Sequence, residues 1–118
     1  MKITKAIAAA DAMRPNTIPE EQKARWLHAF EGRIAETMQT EFPPFVWPLE
    51  GEETELLMPP PHDDIYVLHL CVQIDNHDQE TELYMNDAAI SNAATQEALA
   101  WWRRNNAPKD APHWRLAP

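Results

Sequence analysis

His62-Asp63-Asp64-Ile65-Tyr66-Val67-Leu68-His69-Leu70-Cys71-Val72-Gln73-Ile74 is the stretch that decides how this chain folds. Its apolar run is rich in the β-branched and aromatic residues that suit a buried strand. Two features favour a helix instead. Asp63 and Asp64 follow a proline and place acids in a first turn, where they complement the positive end of the helix dipole. Ile65, Leu68 and Val72 then mark one helical face, while Val67, Leu70, Cys71 and Ile74 mark another. A helix that is apolar on two faces belongs in the middle of a domain, packed from both sides.

Outward from this stretch, the flanks read as further helices. Ile3, Ile7, Ala10 and Met13 recur at helical spacing and Pro15 ends the run, which predicts a short amphipathic helix over 3–13. Thr17 or Ile18 stands at the next cap, with Pro19, Glu20 and Glu21 in the first turn of a helix expected to reach about Thr40. Its stripe is Leu27, Phe30, Ile34 and Met38, with Trp26 beside it and Gly32 as a weak point of about 1 kcal/mol. Downstream, Asp75-Asn76-His77-Asp78 reads as a turn, with Asp78 able to cap a last helix over about 79–105. Leu83, Ile90, Ala94 and Trp101 form that helix's stripe, and Arg103 and Arg104 suit its carbonyl end. The expected fold is all-α: a four-helix bundle of one short and three long helices, over 1–106, followed by an extended tail, 107–118.

Residues 41–61 interrupt this pattern. Six of the chain's eleven prolines lie here, so helix is forbidden and a long extended connection is expected. It also carries Phe42, Phe45, Val46, Trp47, Leu49, Leu56, Leu57 and Met58, apolar residues that need cover. Large aromatics on proline-bounded segments are interface anchors. Phe45, Trp47, Leu56, Leu57, Trp102 and, in the tail, Trp114 are therefore the candidate interface residues. The competing reading is that each folds back over its own core.

At 118 residues the chain has room for one core. Its formal net charge of −9 is concentrated: residues 41–82 hold eleven acids and no lysine or arginine. Such a surface repels phosphates, which disfavours nucleic-acid and membrane-surface binding. No apolar run approaches the roughly 20 residues of a bilayer span, and the first residues read as neither leader nor anchor. Catalytic patterns are missing as well. His28/Glu31 and His77/Glu80 have spacing that a metal pair can use, but the order reverses the Glu-x-x-His of di-iron bundles. His62, His69 and His77 fall loosely along one helix side, His69 reading as a core histidine. Cys71 sits among apolar residues, which raises a thiol's pKa. Ser91, the only serine, has no nucleophile context. No enzyme, cofactor or metal is expected.

Four stretches carry a resemblance. They are Ala10-Asp11-Ala12-Met13-Arg14-Pro15-Asn16, and Glu21-Gln22-Lys23-Ala24-Arg25-Trp26-Leu27 continuing to Glu31-Gly32-Arg33-Ile34. The third is Thr54-Glu55-Leu56-Leu57-Met58-Pro59 leading to Asp64-Ile65-Tyr66 and Gln73-Ile74-Asp75. The fourth is Tyr84-Met85-Asn86 with Asn92-Ala93-Ala94, closing on Trp101 and Pro108. In these the chain resembles small head–tail connector (adaptor) proteins of tailed phages. The resemblance implies a structural virion protein of the neck, assembled in the bacterial host cytoplasm. Its partners would be about a dozen copies of itself in a ring, the portal protein, and a tail or head-completion protein. DNA would pass through the ring without specific binding, along a wall to which Glu50, Glu52, Glu53 and Glu55 are the candidate contributors. The alternative is an acidic helical DNA mimic or regulatory binding protein, motivated by the same acidic block.

Overall fold

The computed structural model describes residues 1–49 and 55–106, and within them the chain forms four α-helices. These are α1 (Ile3–Met13), α2 (Glu20–Met38), α3 (Asp64–His77) and α4 (Thr81–Asn105). The described residues contain no strand, only one isolated antiparallel bridge between Lys2 and Glu55. The protein is mostly helical, and no described helix is long and apolar enough to cross a membrane.

The apolar stretch after His62 is indeed helical and central. α3 packs against each of α1, α2 and α4. Ile65, Tyr66, Val67, Leu70, Cys71, Val72 and Ile74 are all buried, on several sides of one helix. Leu27, Phe30 and Ile34 of α2 meet it from one direction, and Ala6, Ile7 and Ala10 of α1 complete the core. Phe30 lies edge-on to Tyr66, with ring centroids 5.8 Å apart.

Boundaries moved where side chains were needed elsewhere. α2 stops at Met38 because Gln39 takes a left-handed conformation, φ 54°, and its N–H returns to Ala35 and Glu36. No side chain of Thr17 caps α2. Asn16 does the local work, accepting from the Ile18 N–H at 3.0 Å and from Lys23 Nζ at 3.2 Å. Lys23 is buried and satisfied further by both oxygens of Asp11, at 2.8 and 2.9 Å.

The turn expected at 75–78 is the last turn of α3, which continues to His77. The reversal comes later, at Gln79, φ 58°. Asp78 does not cap α4; it accepts a hydrogen bond from His77 Nδ1 at 3.0 Å. The three histidines 62, 69 and 77 do not form one line. They pack separately, against Trp101, Phe30 and Trp26.

α2 runs unbroken through Gly32. A Cβ there would lie 2.9 Å from the Phe42 ring, so the glycine makes room for that ring. Phe42 in turn lies over His28, centroids 4.3 Å apart, and His28 Nε2 donates to the Pro43 carbonyl at 2.9 Å. The start of the 41–61 connection is thereby laid along α2.

Candidate assembly surface

The far end of the connection is held by an ordered series of backbone bonds. The Leu56 N–H donates to the Met1 carbonyl at 2.8 Å. The Leu57 N–H donates to Glu31 Oε2 at 2.8 Å, and the Met58 N–H to the Tyr66 hydroxyl at 2.8 Å. Tyr66 then donates to Glu31 Oε1 at 2.7 Å. Burial pushes the Glu31 carboxyl up in pKa, while the bonds from Tyr66 and Leu57 favour its charged form. Leu56 and Met58 join the core. This end of the connection is thus a built part of the fold.

Among the expected interface residues, Leu56 is buried, and Leu57, Phe45, Trp47 and Trp102 are half-buried against the core. Phe45 stacks on Trp47 at 6.5 Å with the Arg25 guanidinium 4.5 Å from the Phe45 ring centre. Both Trp101 and Trp102 pack partly against the core. Glu55 is exposed and paired with the N-terminal ammonium at 2.6 Å, which lowers its pKa. Glu50, Glu52, Glu53 and Trp114, together with the tail 107–118, lie outside the described residues. Phe42 and Val46 remain exposed near the start of the connection.

Exposed apolar side chains also lie along α4. In 25 residues only Asp87, Ser91 and Ala98 are buried. Leu83, Met85 and Ile90 are 41%, 67% and 48% exposed. The stripe read from the sequence exists, yet only its lower half, Ala94 and Trp101, meets the core. At 100° per residue, the buried line through Asp87, Ser91 and Ala98 is turned by roughly 60° from the Leu83–Ile90 line. Arg14 causes the turn. Its Nη2 and Nε reach Asp87 Oδ2 at 2.8 and 3.2 Å, and its Nε lies 3.3 Å from Asp75 Oδ1.

Asp75 is 1% exposed, and its Oδ2 has no hydrogen-bond partner among the described residues. Burial, with Asp87 beside it, pushes its carboxyl well above the usual aspartate range. Three helices, α1, α3 and α4, are thus tied by one cation and two carboxyls. The sequence did hold a signal for this cluster: Asp75 continues the Ile65–Leu68–Val72 stripe at helical spacing. Glu31 likewise interrupts the stripe from Leu27 to Ile34.

On the opposite flank of α4, a cleft of about 380 Å³ opens between α2 and α4 over α3. Phe30, Val72 and Leu99 supply apolar lining, and Arg33, Gln73 and Asn92 polar lining; no aspartate or glutamate lines it. Arg33 is exposed and makes no ion pair among the described residues; its guanidinium lies 5.6 Å from the Phe30 ring centre. His69 stacks on the same ring at 4.2 Å, and burial pushes its pKa down to about 4.

The groups suited to catalysis are otherwise engaged. The Cys71 thiol is pushed up to about 11 by burial. His28 turns to Pro43 while Glu31 turns to Tyr66 and Leu57, so that pair diverges. Among the described residues no group of three or more His, Cys, Asp or Glu side chains is placed to hold a metal ion. No family model, curated protein or solved structure matches the chain.

Proposed function

We propose that this chain is a self-assembling structural subunit, of the kind that forms a head–tail connector ring beneath a phage portal. In this reading it is a four-helix bundle carrying the proline-rich acidic connection 41–61, and it resides in the virion neck. The observation that carries the reading is α4. Its own fold buries three of its residues, two of them polar, and leaves Leu83, Met85 and Ile90 in water. Covering such side chains yields about 1 kcal/mol or more apiece, which the isolated chain forgoes. A helix of that composition is made for a neighbour.

The acidic block fits a conduit for DNA, since negative walls do not hold phosphates. It fits a DNA mimic less well. Asp75 is drawn inside to Arg14, and Glu55 and Asp63 lie 2.6 and 3.8 Å from the N-terminal ammonium, so these acids are engaged within the chain.

Two observations test the reading together. Portal and major capsid genes are expected beside the gene for this chain. The purified chain, mixed with that portal protein, is expected to co-sediment and to cross-link into multimers. A chain that stays monomeric alone and with portal protein would contradict the proposal.

A further inference from the structure

We infer that copies of this chain join head to tail, the Leu83–Ile90–Glu97 flank of α4 in one copy seating in the α2/α4 cleft of the next. The inference rests on the self-assembly reading and specifies its contact. Leu83, Ile90 and Glu97 recur every seven residues, so they fall on one line of the helix. All three are exposed. Met13, also exposed, precedes Arg14, which grips Asp87 one turn from both Leu83 and Ile90. The line presents two apolar side chains and then a carboxylate.

The cleft is the complement. Its floor is apolar, with Phe30 and Val72 nearly buried and Leu99 half-buried beside them. Its walls are mostly uncharged polar groups such as Gln73 and Asn92, and Arg33 offers a cation to an acid. In a chain of net charge −9, a lining free of carboxylates around an arginine that has no ion pair among the described residues selects an acidic visitor. Dimensions agree as well: Leu83 to Glu97 spans about 21 Å of helix, and the cleft's α4 wall from Tyr84 to Leu99 about 22 Å. A helix lying in a groove between two others is a common recognition mode.

Flank and cleft lie on opposite sides of α4, so a copy that has seated its flank still has its cleft open. Such a contact is heterologous, and repeated copies close into a ring or extend as a filament.

Charge reversal and mixing test the pairing, read by sedimentation velocity of the full chain. Arg33→Glu and Glu97→Arg, both at exposed positions, are each expected to weaken assembly by about tenfold or more, and R33E/E97R to regain it. L83D/I90D is expected to be monomeric, having lost the flank but kept the cleft. Mixed with R33E, which keeps the flank but has a spoiled cleft, it should form a dimer and nothing larger. Circular dichroism of each variant confirms folding. If the wild-type chain assembles and R33E assembles equally well, the pairing is overturned while self-assembly stands. A wild-type chain that never assembles overturns both.

Discussion

Tyr66 and Glu31 show how one buried pair can fix an irregular segment. Between them they take the N–H groups of Leu57 and Met58 and bond to each other, so each loss leaves a buried group unpaired. Tyr66→Phe is expected to destabilise the fold by about 2 kcal/mol, seen as a lower urea midpoint at unchanged m-value. Gly32→Ala should behave differently. Alanine favours a helix by about 1 kcal/mol, but its Cβ displaces the tip of the Phe42 ring. Stability is expected to change little, while the ring-current shift on His28 disappears from the NMR spectrum. Retention of that shift would contradict the close approach of Phe42 to Gly32. Neither Glu31 nor Gly32 could be understood from local sequence. Glu31 read as half of a surface His-Glu pair because its partners, Tyr66 and Leu57, are distant in sequence. Gly32 read as a weakness because Phe42 is a whole segment away.

Helix identity was legible because the 3.6-residue period of apolar side chains is a local property, and α1 begins and ends where it was expected. Helix orientation was not, and α4 is the instance. By pattern, Leu83 and Ile90 should turn inward. Turning Leu83 and Ile90 inward would break the part-buried Arg14–Asp87 contact and disturb the cation beside fully buried Asp75. Leaving a buried carboxyl without its cation costs more than leaving two apolar side chains half in water, at about 1 kcal/mol each. The ion cluster therefore sets the rotation of α4, and no periodicity could reveal a partner 73 residues away.

The same cluster gives the fold a pH dependence. Asp75 has a raised folded-state pKa, so the folded protein holds a proton that the unfolded chain has released. Stability from this group is fully present below about 4, the ordinary aspartate value, and is lost as pH rises through its raised folded-state pKa. His69 acts oppositely: its lowered pKa makes stability fall as pH drops from about 6.5 to about 4. Between pH 8 and 6.5 the aspartate outweighs the histidine, and acidification should stabilise the fold modestly, seen as a rise in Tm. Buried Glu31 adds in the same direction. Asp75→Asn should remove most of this rise; a melting profile as steep as wild type would refute the assignment.

For the whole molecule, charge is unevenly placed along the sequence: the acidic block 41–82 has no lysine or arginine, while the cations of the described residues lie on or beside α1, on α2 and at the end of α4. A contact with a charged component, Arg33 to Glu97 of the next copy, should be salt-sensitive, since exposed charges are screened over about 8 Å at physiological ionic strength. Assembly is expected to weaken in high salt without dissolving, because Leu83 and Ile90 supply an apolar part that salt does not screen. The central claim is that α4 is built for a second copy of this chain. Sedimentation velocity over a wide concentration range, on the wild type and on L83D/I90D side by side, tests it most directly. A sedimentation coefficient that climbs with concentration for the wild type and stays at the monomer value for the variant is expected; two identical, flat profiles would show that α4 has no such partner.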